Sequence, residues 1–317
     1  MNPEPRAGVG PAPGADPASG MGSASGAGLA GVREPAVAGQ FYPADPGALA
    51  RMVEQLLDAV GVPDDDELAA AYVVPHAGYR YCGPTAAHVY ARLRRHAGRV
   101  RRIVLVGPAH RVPLTGCAVP TTARWRTPLG EVPIDPAATV LAGATPAPGV
   151  TPAPGAGPAA GSRLAAADDA PHAPEHSLEV QLPFLQRVLG QRVPGGAVPV
   201  LPVAVGRSTV DEVIAVIAAA VAADRAGTVV LCSTDLSHYL PEAQAKEQDA
   251  RTAAAVLALD PSRVGVRDAC GVFALRGLLG WARGTGLTPS LLQLSTSADT
   301  GADPGRVVGY PAFALRG

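Results

Sequence analysis

Three uninterrupted apolar runs in this chain break off into polar loops that carry histidine. Ala71-Tyr72-Val73-Val74 runs into Pro75-His76-Ala77-Gly78-Tyr79. Residues 102–107 (RIVLVG) run into Pro108-Ala109-His110, and residues 228–232 (TVVLC) into Ser233-Thr234-Asp235-Leu236-Ser237-His238. A strand that is apolar at every position is buried on both faces, as in a parallel sheet sandwiched between helices. Segments with helical spacing of apolar residues lie between and around these runs, at 46–60, 85–93, 177–189, 210–221, 243–259 and 272–282. Further β-type segments fall at 198–205, 291–295 and 307–313. Pro183 either kinks its helix or marks its true start. The alternation predicts an α/β fold: a single three-layer domain with a mainly parallel central sheet.

In such a sheet the carboxyl ends of the parallel strands share one edge, and ligands bind there. If their strands are neighbours, His76, His110, Asp235 and His238 meet in one cleft. Imidazole with carboxylate suits Fe, Zn or Mn, and two histidines plus one anionic ligand is the set used by non-haem iron oxygenases. A neutral imidazole is also a good general base near pH 7. Taken singly, each histidine is equally at home as a hydrogen-bonded turn residue.

Other polar groups are less decided. Glu175 or Ser177 suits a helix N-terminus, so His176 between them is either a site residue or part of a cap. Cys270, in Asp268-Ala269-Cys270-Gly271, is a soft donor ahead of a helix, although a lone cysteine is most often a small buried hydrophobe. Cys82, Cys117 and Cys232 read as core. His88, His96 and His172 read as surface residues.

Composition limits the remaining classes. Residues 1–30 are mostly Gly, Ala, Pro and Ser and cannot offset their ordering entropy, so a disordered tail is expected. A Pro/Ala/Gly-rich insertion at about 142–172 reads as a flexible surface loop. The domain proper is then 31–317. Net charge of -1 and 4% aromatic residues leave no footprint for nucleic acid or an anionic membrane. The four cysteines form no CxxC pair and no disulfide framework, which favours a reducing cytoplasm. No apolar run reaches the ~18–20 residues of a membrane span, and Met1-Asn2-Pro3-Glu4 does not open like a signal peptide. No GxGxxG, Walker A loop or GxSxG elbow stands in a convincing context.

Seven ordered segments together resemble one known family. They are Ala38-Gly39-Gln40-Phe41-Tyr42-Pro43; Pro75-His76-Ala77-Gly78-Tyr79-Arg80-Tyr81-Cys82-Gly83; Gly107-Pro108-Ala109-His110; and Glu175-His176-Ser177-Leu178-Glu179 with Leu182-Pro183-Phe184. Ser233-Thr234-Asp235-Leu236-Ser237-His238, Asp268-Ala269-Cys270-Gly271 and Val307-Val308-Gly309-Tyr310 complete the set. Cys82 stands where the pattern commonly has Ser. The chain is thereby identified as a member of the Memo family, called AmmeMemoRadiSam system protein B in prokaryotes.

The resemblance implies a fold similar to that of class III (LigB-type) extradiol dioxygenases. It implies His76 and His110 as imidazole ligands, with Cys270 where those enzymes place a carboxylate ligand. His238 then stands at the acid/base position with Asp235 beside it, and His176, Glu175 and Tyr79 are expected to bind substrate. Fe(II) is the expected metal, with Cu or Zn as alternatives because a thiolate softens the site. An AMMECR-type protein and a radical SAM protein are the implied partners, and a small molecule or peptide the implied ligand. The function expected is that of a metal-dependent redox enzyme or accessory protein. Two other classes stay open on the same residues: a non-catalytic peptide- or partner-binding module, and a zinc-dependent hydrolase.

Overall fold

The computed structural model describes residues 28–143, 163–190 and 197–317. In chain order its elements begin with Val32–Arg33 (β1), Pro46–Asp58 (α1), Ala71–Val74 (β2), Tyr79–Arg95 (α2), Arg102–Pro108 (β3) and Cys117–Val119 (β4). Arg124–Thr127 (β5), Gly130–Pro133 (β6), Ala137–Leu141 (α3), Ala166–Ala167 (β7), Leu182–Leu189 (α4), Val200–Val205 (β8) and Val210–Val221 (α5) follow. Thr228–Ser233 (β9), His238–Leu240 (β10), Glu242–Leu257 (α6), Val272–Gly284 (α7), Thr288–Thr296 (β11) and Val307–Arg316 (β12) complete the chain.

The main sheet has the order β10-β12-β2-β9-β3-β8-β4-β7, with β11 also paired to β12. Its centre, β2-β9-β3-β8, is parallel throughout. All residues of these four strands are buried, which explains their continuous apolar runs. The flanks are antiparallel, β12 against β2 and β4 against β8. The sheet is thus mixed, and the parallel character inferred from the runs belongs to its centre. β9 lies between β2 and β3, with Val74 opposite Ser233 and Val106 opposite Cys232. The carboxyl ends of three adjacent strands therefore open onto one edge.

Helices cover both faces. α1, α2 and α4 pack together, with α2 lying on β2 and β12. α5 and α7 pack together over β3 and β9. α5 is held at its start by a capping box between Thr209 and Glu212. α7 approaches α5 so closely that a Cβ on Gly277 would lie 2.2 Å from Val213 Cγ1. No helix among the described residues is long and apolar enough to cross a membrane.

Several sequence expectations change. α2 starts at Tyr79, six residues before its expected start, and runs through Pro84. Its first turns are buried against α1, where a Cβ on Gly83 would touch Leu56 at 2.8 Å, so packing offsets the lost hydrogen bond. Pro183 sits in the first turn of α4 and marks its start. The β5–β6 hairpin, which joins β1 in a small second sheet, escaped notice because β5 is a short alternating strand whose exposed positions are arginines.

The expected tail lies outside the described residues except for 28–30, where Leu29 already packs on the core and Ala30 donates to the Thr121 carbonyl. Of the expected insertion, 144–162 lie outside the described residues. The segment 163–172 is built into the fold through β7, which pairs with β4. His172, expected at the surface, is 0% exposed and stands edge-on to Trp125. Neither of its ring nitrogens has a hydrogen-bond partner among the described residues.

Two predictions follow from this packing. Gly277→Ala should destabilise the fold by ~1–3 kcal/mol, the usual effect of overpacking. Gly284→Ala, whose Cβ would meet nothing within 4 Å, should be neutral or mildly stabilising in the same urea melts. Burial, helped by the nearby Arg33 charge, lowers the His172 pKa from 6.5 to about 4. Between those values the unfolded chain binds the extra proton and the folded one does not, so stability must fall as pH drops from 6.5 towards 4. His172→Leu should flatten that limb by a few kcal/mol, at about 1.4 per pKa unit. Parallel pH slopes for variant and wild type would refute the assignment.

Candidate metal centre

His76 comes two residues after β2 and His110 two residues after β3, each carried over the sheet edge by a short turn. His176 arrives from a third direction, in the turn before the 3-10 helix Glu179–Gln181 that leads into α4. The three rings gather with centroids 5.2 Å (His76–His110), 5.4 Å (His76–His176) and 4.9 Å (His110–His176) apart. One ring nitrogen from each lies within 4.8 Å of the others. His76 is buried, His176 half-buried and His110 the most accessible. Phe41, from the Ala38–Pro43 motif, packs on the His176 ring at 4.6 Å.

Glu175 organises this group from behind. Its carboxylate accepts the backbone N–H of His110, of His176 (2.9 Å) and of Ser177 (2.9 Å). The His110 Nδ1 contacts the same carboxylate at 3.0 Å. The His176 Nδ1 stands 3.2 Å from Oε1 but out of line for a hydrogen bond. Burial alone would raise the Glu175 pKa, yet the bonds from His110 and His176 hold it well below the carboxylate range. An ionised carboxylate only accepts, so His110 must carry its proton on Nδ1. Its Nε2 lone pair is then free for the cleft, the arrangement of carboxylate-backed metal histidines.

The loop after β9 supplies the opposite wall. The Asp235 carboxylate accepts the His76 backbone N–H at 2.8 Å and so ties the β2 and β9 loops together. Burial raises its pKa to about 7 against the pull of that amide. Cys270, just ahead of α7, places Sγ 3.2 Å from His76 Nε2 and accepts the Asp235 N–H at 3.3 Å. Burial, with the Asp235 charge adding to it, pushes the Cys270 thiol well up, so without a cation the sulfur stays protonated. His238 Nδ1 donates to the Leu236 carbonyl at 2.8 Å, which leaves Nε2 as its free nitrogen. Burial lowers the His238 pKa, so the ring is neutral at pH 7.

These groups line a cleft of about 980 Å³. Of the residues picked out in the sequence, His76, His110, Asp235, His238, Cys270 and His176 all face it. Tyr79, expected to bind substrate, is not among the lining residues: its ring is buried against Tyr42 and Phe184 and its hydroxyl donates to the Val180 carbonyl at 2.5 Å. Glu175, expected in the same role, lies behind the lining with its oxygens bonded to His110, His176 and Ser177. His176 belongs with the ring trio, a grouping that its sequence position did not reveal.

Sequence reading also passed over the mouth of the cleft. Arg111 and Arg267 line it without an ion pair among the described residues, beside the exposed rings of Tyr81 and Tyr239. Tyr239 is 61% exposed, holds φ at 62°, and has the Arg306 guanidinium 4.4 Å over its ring. Each of these residues is close in sequence to a site motif, which was the only available signal.

Comparison with known proteins places the chain in a family. The family model described as Memo-like protein matches residues 33–314. A MEMO1 family protein of Methanopyrus kandleri is 36% identical over 303 residues, covering 90% of this chain and 99% of that protein. One from Methanosarcina barkeri is 35% identical over 296 residues, covering 89% and 99%. One from Methanococcoides burtonii is 32% identical over 298 residues, covering 90% and 100%. With its motifs placed around one histidine-lined cleft and its length matched almost throughout, the chain belongs to the Memo-like protein family.

Proposed function

We propose that the cleft holds one metal ion and that the protein is a metal-dependent redox enzyme or accessory protein. The observation that carries this reading is the convergence of His76, His110 and His176 on one point, with Cys270 Sγ already against His76. The donor set fits a transition metal: ring nitrogens of three imidazoles brought together, and a sulfur whose proton a cation would displace. His76 and His110 would hold the ion, with Cys270 or His176 completing the set. Fe(II) is the ion we expect, with copper or zinc as alternatives. Once bound, such an ion would supply a Lewis-acidic, redox-active centre with a position open to substrate.

The chain's own residues handle position and protons. Glu175 keeps the His110 ring turned, and Asp235 fixes the His76 backbone. Asp235, with a pKa of about 7, can hold or release a proton close to the ring trio at working pH. His238 exchanges its proton at Nε2, because Nδ1 is committed to Leu236. Association with an AMMECR-type and a radical SAM protein belongs to the same proposal and rests on the resemblance alone. A second reading, capture of an aromatic or carboxylate group without chemistry, is favoured by the arginines and tyrosines at the mouth.

Protein purified without oxygen should carry close to one metal ion per chain by mass spectrometry. His76→Ala and His110→Ala should each lose it, and unchanged metal in both would sink the metal reading. Glu175→Gln should keep the fold but weaken metal affinity by about 10–100-fold in a chelator titration. Ligand binding that survives chelation at full affinity would instead support the second reading.

A further inference from the structure

Behind His76 lies a closed set of buried hydrogen bonds that can be solved for its protons. Ser233 Oγ has three polar neighbours: the Ser177 carbonyl at 2.6 Å, Gln181 Nε2 at 2.9 Å and His76 Nδ1 at 2.9 Å. A hydroxyl has one proton to give and two lone pairs to offer. The Ser177 carbonyl only accepts, so the Ser233 proton must go there. The Gln181 amide is oriented independently, since Nε2 also donates to the Pro75 carbonyl at 2.9 Å and Oε1 accepts from the Tyr90 hydroxyl at 2.5 Å. Its second N–H therefore fills one Ser233 lone pair. Towards His76 only an accepting lone pair remains.

We infer that Ser233 is a positioning residue: with its proton committed to Ser177 and one lone pair to Gln181, it can only accept from His76 and fixes that ring in the tautomer protonated at Nδ1 and bare at Nε2. The members are 0% (Ser233), 1% (Gln181), 0% (Tyr90) and 2% (His76) exposed, so water has little access to scramble the pattern. The rest of the set is equally closed: Tyr90 stacks on Phe184 at 4.6 Å, and a Cβ on Gly107 would stand 3.1 Å from Ser233 Cβ. The device differs from the one behind His110, where a charged carboxylate does the same work. A neutral acceptor fixes the ring without placing a second negative charge at its back.

The inference deepens the metal reading, because a bare Nε2 is what a cation requires, but its test is independent of metal. Full-length protein labelled with ¹⁵N-histidine and treated with a chelator should show, at pH 7–8, one neutral His76 tautomer protonated at Nδ1. Its signal is assigned by its loss in His76→Asn. Ser233→Ala removes the only acceptor for that proton among the described residues, so the ring should turn over to the Nε2–H form, while the His110 pattern stays unchanged. Metal affinity should drop by about 10–100-fold. A wild-type His76 protonated at Nε2 would overturn the inference, and so would a Ser233→Ala protein that keeps the Nδ1–H form alone. The wild-type spectrum decides the tautomer even if the variant does not fold. A correct tautomer in a protein that never binds metal would retire the proposed function and leave this assignment standing.

Discussion

A carboxylate that is 1% exposed must find its donors inside the protein, and Glu175 finds them in its own turn and in the loop after β3. Leaving such a charge unpaired would cost several kcal/mol. The backbone must therefore bring the amides of His110, His176 and Ser177 to it, and with them the two side chains that face the cleft. Ser177 adds a bond from its hydroxyl to the Pro108 carbonyl at 2.8 Å, which fastens the same turn to the end of β3. Geometry at the site is thus a by-product of satisfying one buried charge. Asp235 does the corresponding work between β2 and β9.

A second buried carboxylate, Glu179, extends the scheme to the start of the described chain. It takes a bond from Arg33 at 2.7 Å, from the backbone of Ala36 and Val37, and from the Tyr42 hydroxyl at 2.6 Å. Arg33 continues to the carbonyls of His172 and Glu175 at 2.8 Å each and lies over Trp125 at 4.4 Å. The Ala38–Pro43 motif is accounted for in these terms: Tyr42 anchors it and Phe41 closes against His176. Removing one partner of such a network leaves the others charged and dry, so it is more costly to break than its net contribution suggests.

The strands that bear the site were legible because burial on both faces leaves an unbroken apolar run, and their loops were legible because polar residues follow at once. His76, His110, Asp235 and His238 could be grouped on that basis. Strand order could not be read, since any of the runs could have been neighbours. His172 was misplaced for a simple reason: local sequence shows what a residue is, not whether distant chain covers it. Arg33 and Trp125, from two separate distant segments, close on His172. Cys270 stood out by family resemblance and not by pattern, because its partner is 194 positions away. α2 was cut short because Gly83 and Pro84 are breakers in isolation, and only the neighbouring helix makes them tolerable.

The position of β2 has a consequence for how the protein is made. Its two neighbours in the sheet, β9 and β12, both come from the last third of the chain. During synthesis β2 therefore emerges with neither neighbour made, whereas β3 can already pair with β8 before β9 appears. Contacts of such long range form slowly and leave strand edges open in the meantime. A product lacking β12 loses one full edge of the strand that leads to His76.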